Sequence, residues 1–434
     1  MQQSIVAQVF ADEWPRLVAT LVRELGDIDL AEDAAQQAFT EAAASWRPDN
    51  TPNRPGAWLL TTARRRAIDV IRRKSTLREK MGRQVPDAEA VDVAASVGGD
   101  GDAGGFGSDH PEANQLLDDQ LALIFGCCHP ALNREAQIAL TLRSVCGLST
   151  RQIAAAFLVP EATMAKRLVR AKDKVRNAGI PFTVPARERL TERLDSVLAV
   201  VYLIYTEGHT ASDGPALIRG GLCDEARWLA DLVADLLPDQ AEAWGLSALI
   251  NLTDSRRETR VDADGQIVLL ANQDRSRWDT EMIEAGRRRL VHADRLDDTG
   301  PYQLQAAIAL VHAMAPTAEE TRWTTIVTLY DHLLGFEPTP IVGLNRAAAV
   351  SKAYGPAAGL EALDELMAEP QASSELDSYR YYHAARADMF LRLERPAEAA
   401  DSYRHALDLT TNDSERDFLT GRLAETRNLQ RERH

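Results

Sequence analysis

The sequence predicts an all-α protein with two small helical domains joined by a flexible linker, followed by a long helical extension that carries one short β-hairpin. Apolar residues recur at helical spacing through most of the 434 residues. A stretch rich in glycine and aspartate interrupts that spacing, and an Asp-Gly pair further on is typical of a hairpin turn. The predicted segments are residues 1–80, the linker 81–114, residues 115–180, residues 181–295 with a hairpin near 260–271, and residues 296–434.

The charge is unevenly distributed along the chain. The formal net charge is −16, which argues against a protein that coats nucleic acid with its whole surface. Residues 185–434 carry 27 basic and 42 acidic residues, whereas residues 1–184 carry 22 and 23. This division favours a first part that contacts nucleic acid and a second part that contacts protein.

Neither a membrane segment nor a metal site is expected. No apolar run approaches the length of about 18 residues that a spanning helix needs, and the N-terminus lacks the basic and apolar regions of a signal peptide. Cys127, Cys128, Cys146 and Cys223 form no CxxC pair, so we expect reduced core thiols, with a zinc site as the alternative. The protein is therefore predicted to be cytoplasmic, without a cofactor.

The first predicted domain contains an acidic helix and a basic helix. Residues 29–46 place small apolar residues on one face and acids and amides on the other, either as a solvated face or as a docking face for a basic partner. Residues 56–75 are the basic helix, and nine basic residues stand against two acidic ones between Gly56 and Arg83. Clustered arginines beside Trp58 suit phosphates and single-stranded bases.

Residues 149–176 predict a helix-turn-helix. Ser149 and Gln152 form a capping box, and Val159-Pro160 separates a short helix from a basic one. Met164, Leu168, Ala171 and Val175 share the apolar face of the second helix. The second helix of such a motif enters the DNA major groove, although an ordinary amphipathic helix would have the same pattern.

The extension is predicted to be helical, with tetratricopeptide-like spacing of small and aromatic residues near 226–248 and 387–406. Stacked helix pairs of this kind form a groove for peptides or proteins, and an irregular helical array is the alternative. Asp264-Gly265, between short β-prone runs, predicts the hairpin.

These motifs, in this order, resemble the extracytoplasmic-function (ECF) sigma factors of the sigma-70 family. The stretch AEDAAQQAFTEAAASW is similar to regions 2.1–2.2, AWLLTTARRRAIDVIRR to regions 2.3–2.4, and residues 116–178 to region 4. The extension, with YTEGHTA, LANQDRSRW and GPYQLQAAIALVHA, resembles the group with a long TPR-like C-terminal extension.

The resemblance implies three sets of binding residues and no catalytic ones. The set for the β′ clamp helices of RNA polymerase is Asp29, Glu32, Asp33, Gln36, Gln37 and Phe39. The set for the −10 promoter element is Trp58, Thr62, Arg65, Arg66, Arg72 and Arg73. The set for the −35 element is Arg151, Thr163, Lys166, Arg167, Arg170 and Lys174.

The resemblance also implies partners beyond these sets. Region 4 would contact the polymerase β flap, and the fused extension would regulate the sigma domains through intramolecular contacts. The acidic linker would mimic RNA in the exit channel or serve as a tether. Arg65 departs from the family, in which asparagine is common at this position, and it has no acceptor to offer a flipped base.

Two other functions fit parts of the sequence. A stand-alone helix-turn-helix regulator with a ligand- or peptide-sensing TPR domain explains the helix-turn-helix and the groove but leaves the order of residues 29–75 unexplained. An enzyme with Glu207, His209 and Asp213 at its site is the other, but no recognised catalytic motif accompanies those residues.

Overall fold

A computed structural model of the chain describes residues 2–46, 51–80, 111–157, 159–212 and 214–432. In these ranges the regular structure is helical and no sheet is formed, which confirms the predicted all-α class. The chain divides into two compact units, Met1–Leu203 and Ile204–His434. Most of the predicted linker, residues 81–110, lies outside the described residues.

Unit 1 begins with three helices, α1 (Gln2–Leu25), α2 (Ile28–Ser45) and α3 (Pro55–Lys80). Gly26 ends α1 because it adopts a φ of 64°, which side chains with a Cβ disfavour. Asp27 then caps α2, since its carboxylate accepts hydrogen bonds from the backbone N–H groups of Asp29 and Leu30. The two helices consequently reverse direction within a short turn and pack on each other.

The second half of unit 1 contains α4 (Pro111–Cys127), α5 (Arg134–Leu140) with a following π-helical turn (Thr141–Val145), α6 (Thr150–Ala156) and α7 (Glu161–Asn177). The capping box predicted at Ser149 and Gln152 is confirmed at the start of α6. The predicted apolar face of α7 is also confirmed, because Met164, Leu168, Ala171 and Val175 are its buried residues. Helices α6 and α7 therefore form the predicted helix-turn-helix.

Helix α8 (Arg187–His209) contains the boundary between the two units. The helices that follow in unit 2 are α9 (Gly220–Leu236), α10 (Ala241–Asp254), α11 (Thr280–Asp294), α12 (Pro301–Met314), α13 (Trp323–Phe336), α14 (Pro340–Ala353), α15 (Pro356–Met367), α16 (Pro370–Asp377), α17 (Arg380–Arg392), α18 (Pro396–Asp408) and α19 (Asp413–Glu432). Five of them begin with proline, which lacks the N–H that a first helical position leaves unpaired. Helices that follow each other in sequence pack together around small residues such as Ala387, Ala399 and Ala406. The TPR identity of these pairs stays a prediction.

The two ends of unit 2 meet. The side chain of Asn412, which is fully buried, donates to the carbonyl oxygens of Ala211 and Ala216 at 3.3 and 3.0 Å. The hydroxyl groups of Thr411 and Ser414 donate to Ser212 and Pro215 in the same loop. The segment before α19 thus fixes the loop after α8.

The predicted hairpin near 260–271 is wrong. One antiparallel bridge joins Val261 to Ile267, and no strands extend from it. The carboxylate of Asp262 accepts hydrogen bonds from the N–H groups of Asp264 and Gln266, so the turn satisfies itself locally. The pairing ends with the hydrogen bond from the Val268 N–H to the Arg260 carbonyl oxygen at 2.9 Å, and the chain then enters short 3₁₀ turns at Leu270–Asn272 and Arg275–Arg277.

Cys127, Cys128 and Cys223 are buried, and burial raises the pKa of each thiol, to about 11 for Cys128 and about 12 for Cys223. In the described part of the chain no cluster of metal-ligating side chains occurs. No helix there is long and apolar enough to cross a membrane.

Candidate functional site

The acidic face of α2, predicted to bind polymerase, is partly covered by residues of the helix-turn-helix half of unit 1. The side chain of Glu32 is only 1% exposed. Its carboxylate accepts hydrogen bonds from the Ser144 hydroxyl at 2.5 Å, the Arg143 Nε at 3.2 Å and the Lys172 Nζ at 3.0 Å. A buried carboxylate needs such partners, because burial without them is strongly unfavourable. We call Asp29, Glu32, Arg143, Lys172 and Arg176 the acid–base latch.

Asp29 completes the latch at the start of α2. Its two carboxylate oxygens accept from Lys172 Nζ at 2.8 Å and from Arg176 at 2.6 Å. Burial alone would lower the pKa of Lys172, but the carboxylates of Glu32 and Asp29 outweigh it and the pKa is raised. Lys172 is therefore held in its charged form by two residues of α2.

Apolar and aromatic contacts accompany the latch. The indole N–H of Trp14 on α1 donates to the Ser144 carbonyl oxygen at 3.2 Å. Gly147 has a φ of 74°, and a Cβ built on it would lie 2.8 Å from atoms of both Phe10 and Trp14. Only glycine fits this contact, where the two halves of unit 1 pack tightly.

The remaining residues predicted to bind polymerase divide into two groups. Asp33, Gln36 and Gln37 are exposed along α2. Although the side chain of Asp33 reaches solvent, partial desolvation of its carboxylate raises the pKa, the charge of Lys172 opposes that rise, and Asp29 and Glu32 add to it. Phe39 is a core residue in this arrangement, 6% exposed, with its ring centroid 4.8 Å from that of Phe10.

The residues predicted to bind the −10 element lie along α3 with different exposures. Arg65, Arg72 and Arg73 are exposed, and Arg66 forms an ion pair with Glu41. Trp58 packs edge-on against Trp46, at 5.3 Å between ring centroids, and keeps part of its surface open. Thr62 is 7% exposed and faces the core, so it is not at the surface in this arrangement.

Most of the residues predicted to bind the −35 element lie along one helix of the helix-turn-helix, α7. Thr163, Lys166, Arg170 and Lys174 are exposed and lie three or four positions apart, so they follow one face of α7. Arg151 is exposed on α6, and Arg167 lies 3.6 Å from Glu135. Lys172 and Arg176 lie on another face of α7, so the latch leaves the predicted DNA-binding face open.

Sequence reasoning missed three residues of this site. The residues are Arg143, Lys172 and Arg176, and no local sequence pattern marks them because their partners on α2 are more than 100 residues away. Val169, an apolar residue 59% exposed on α7, was missed too. Its position between basic residues, outside the apolar face of α7, could have predicted that its side chain is exposed.

The loop considered for catalysis makes contacts within unit 2. Glu207 forms an ion pair with Arg219 and accepts from the backbone N–H of Ser212 at 3.3 Å. The Nδ1 of His209 lies 3.1 Å from the hydroxyl of Tyr205. Asp213 lies outside the described residues. The described side chains therefore join the end of α8 to the loop after it.

Three parts of the chain match known protein families. Residues 10–76 match the family described as Sigma-70 region 2, and residues 122–175 match Sigma-70, region 4. Residues 193–294 match a family of unknown function, DUF6596.

Two kinds of relatives are similar to the chain. An uncharacterized protein of Rhizobium meliloti (strain 1021) is 40% identical over 405 residues, which cover 93% of this chain and 92% of the relative. The probable ECF RNA polymerase sigma factor SigI of Mycobacterium tuberculosis, from two strains, is 30% identical over 178 residues. That match covers 41% of this chain and 57% of the relative.

A region 2 domain followed by a region 4 helix-turn-helix defines the sigma-70 class of transcription factors. Within that class, the chain belongs to the extracytoplasmic-function sigma factors and carries a long C-terminal extension.

Proposed function

We propose that this protein directs bacterial core RNA polymerase to promoters with −10 and −35 elements, and that it acts in the cytoplasm. The observation that carries the proposal is the exposed basic face of α7, together with the exposed Arg151 on α6, in a helix-turn-helix that follows a region 2 domain. Such a face supplies both phosphate contacts and base contacts in a major groove.

In this proposal α3 binds the −10 element. Arg65, Arg72 and Arg73 are exposed and would neutralise phosphates of the melted strand. The open part of Trp58 offers a stacking surface for an unpaired base. Arg65 would make a phosphate or stacking contact in place of an amide contact to a base.

We further propose that the polymerase clamp helices bind the polar face of α2 and displace the latch. Asp33, Gln36 and Gln37 are exposed for a first contact, whereas Asp29 and Glu32 are engaged by α7 and the segment before α6. Polymerase binding would therefore have to separate the two halves of unit 1. The helical extension would regulate that opening, and region 4 would bind the β flap once it is released.

The test is pull-down of core RNA polymerase followed by run-off transcription from DNA upstream of the gene. Retention of polymerase and a discrete start site are expected. Retention by a chain of residues 1–203 but not by the full chain would assign an inhibitory role to the extension. Failure of both chains to retain polymerase would contradict the proposal.

A stand-alone DNA-binding regulator is the second candidate, and one observation favours it. The latch engages the polymerase face of α2 while it leaves the DNA face of α7 open, as a protein that binds DNA without polymerase would require. Specific promoter binding that is unchanged by added polymerase would select this candidate.

A further inference from the structure

Unit 2 contains a cluster of arginines that is not neutralised by carboxylates. Arg256 and Arg260 flank the short 3₁₀ turn after α10, and Arg275 lies in the last 3₁₀ turn before α11. The backbone carbonyl oxygen of Arg256 accepts hydrogen bonds from Thr259, but its guanidinium makes no hydrogen bond or ion pair among the residues that the structure describes. The neighbouring carboxylate of Asp254 is taken by Arg257, which also binds Asp224.

Arg260 and Arg275 are fixed in position by neutral groups. Arg260, 9% exposed, donates to the carbonyl oxygen of His209 and, at 3.0 Å, to the hydroxyl of Thr210. Arg275 donates to the carbonyl oxygens of His312 and Ala315 at 2.5 and 2.9 Å, and its guanidinium lies 4.6 Å from the centroid of Trp278. Carbonyl groups orient a guanidinium, but they do not cancel its charge.

Burial and the excess of positive charge lower the pKa values of groups in and beside the cluster. Burial, followed by the neighbouring Arg256, lowers the pKa of Arg260 to about 10. Burial also lowers the pKa of Arg256, with Tyr205 opposing and Arg275 adding to that effect. Burial with Arg256 and Arg275 lowers the pKa of His312 to about 4, so this histidine is neutral. Its buried Nδ1 has no hydrogen-bond partner among the described residues.

Grouped guanidiniums in a protein interior are costly unless an anion compensates them. Burial lowers the pKa of Arg275 and the charge of Glu319 opposes that effect, but no ion pair joins these two residues in the described part of the chain. Arg256 is partly exposed. The turn that contains Arg275 packs against the turn between Arg256 and Arg260, and the indole N–H of Trp278 donates there to the hydroxyl of Thr259 at 3.0 Å. Three guanidiniums suit a group with about two negative charges, which phosphate carries near pH 7.

We propose that Arg256, Arg260 and Arg275 form a binding site for a phosphate group, either as inorganic phosphate or as part of a small phosphorylated molecule. The guanidinium of Arg256 has no hydrogen-bond or ion-pair partner in the described part of the chain. The guanidiniums of Arg260 and Arg275 are already oriented by backbone carbonyl groups. The aromatic rings of Tyr205 and Trp278 stand beside the cluster. All of these residues belong to unit 2, so the inference does not depend on polymerase binding.

The test is thermal unfolding of the full chain in chloride and in phosphate at matched ionic strength. Phosphate at about 100 times its Kd is expected to raise the unfolding midpoint of unit 2 by about 5–10 °C. Arg256→Gln should abolish this shift and raise the midpoint in chloride, because it removes an uncompensated charge. Arg288→Gln, at an exposed arginine of α11, is the control and should keep the full shift.

Two results would overturn the site. One is a wild-type midpoint that does not respond to phosphate, and the other is an equal response in Arg256→Gln. Separate titrations with adenosine monophosphate, glucose 6-phosphate and inorganic phosphate show whether the site prefers a phosphorylated molecule or free phosphate. A larger shift with either at equal concentration assigns a phosphorylated molecule, and equal shifts assign free phosphate.

Discussion

The Nζ atom of Lys172 lies 3.0 Å from Oε2 of Glu32, and 140 residues of sequence separate the two. Glu32 belongs to the helix predicted to bind polymerase, and Lys172 belongs to the helix predicted to enter DNA. Both side chains are largely buried, with 1% and 13% exposed. This ion pair is one of three that join α2 to α7, the other two being those of Asp29 with Lys172 and with Arg176.

Neutralising Glu32 is expected to loosen unit 1. Glu32→Gln removes the charge that Lys172 and Arg143 face, and breaking a buried pair in this way costs about 3 kcal/mol. Hydrogen exchange of the full chain should show faster exchange in α2 and α7. Asp33→Asn is the control, since it neutralises the exposed carboxylate one position on and should change stability by less than about 0.5 kcal/mol. Equal exchange in both variants would contradict the role of Glu32.

Removing the basic half of the latch is expected to favour polymerase binding. Lys172→Met with Arg176→Met leaves the acidic face of α2 intact and frees it from α7. We assume that most molecules have the α2–α7 ion pairs formed. If the substitutions then lower the free energy of separating α2 from α7 by about 1.4 kcal/mol, the apparent Kd for core polymerase falls about tenfold. Fluorescence titration measures this change.

Lys174→Met is the matched control for that titration, because Lys174 is an exposed lysine of the same helix outside the latch. It should leave polymerase affinity unchanged. Weaker binding by the latch variant than by this control would show that Lys172 and Arg176 do not hold the site closed.

Replacing Gly147 with alanine should cost more than replacing Gly179. Both glycines have positive φ, 74° and 58°, so both substitutions carry backbone strain of about 1–2 kcal/mol. Only at Gly147 would the new Cβ meet neighbours, the rings of Phe10 and Trp14, whereas nothing lies within 4 Å at Gly179. Denaturant unfolding should therefore give Gly147→Ala an additional loss of about 1–3 kcal/mol. Equal losses would mean that the halves of unit 1 do not pack as described.

The stability of unit 2 is expected to fall with pH on the acid side of neutrality. The pKa of His312 is lowered to about 4, and that of His209 is also lowered, in both cases chiefly by burial. A lowered folded-state pKa means that the unfolded chain binds the proton first, so stability is lost as pH falls from about 6.5 toward 4. Each histidine contributes up to about 1.4 kcal/mol per pH unit.

Denaturant unfolding at pH 7 and pH 5 measures that loss. His312→Gln should reduce the difference between the two values, because it removes one of the titrating groups. His332→Gln, at an exposed histidine, should leave the difference as in the parent chain. The explanation fails if His312→Gln and His332→Gln behave alike.

The exposed face of α7 predicts a salt-dependent loss of DNA affinity. Arg170→Ala with Lys174→Ala should weaken promoter binding and reduce the slope of log K against log salt by about 1.8, since each phosphate contact contributes about 0.9. Arg404→Ala, at an exposed arginine of α18, should change neither quantity. An unchanged slope in the double variant would remove these two residues from the DNA contact.

The sequence was informative where the interactions are local. Ser149 and Gln152 cap α6 across three positions, and Met164 and Leu168 follow helical periodicity, so both features could be predicted. The bond between Glu32 and Lys172 could not, because nothing in either helix specifies a partner so distant in sequence. The predicted hairpin failed because backbone pairing stops after Val268, where the chain enters a 3₁₀ turn, so no strands form beyond the single bridge.

The contact of Asn412 with Ala211 and Ala216 has a kinetic consequence. These residues are 201 and 196 positions apart, so the contact closes a very long loop whose entropic cost must be met before unit 2 is complete. During synthesis the region 2 and region 4 domains leave the ribosome well before residue 412 is added. A newly made chain therefore passes through a period in which its region 2 and region 4 domains are complete and its extension is not yet folded.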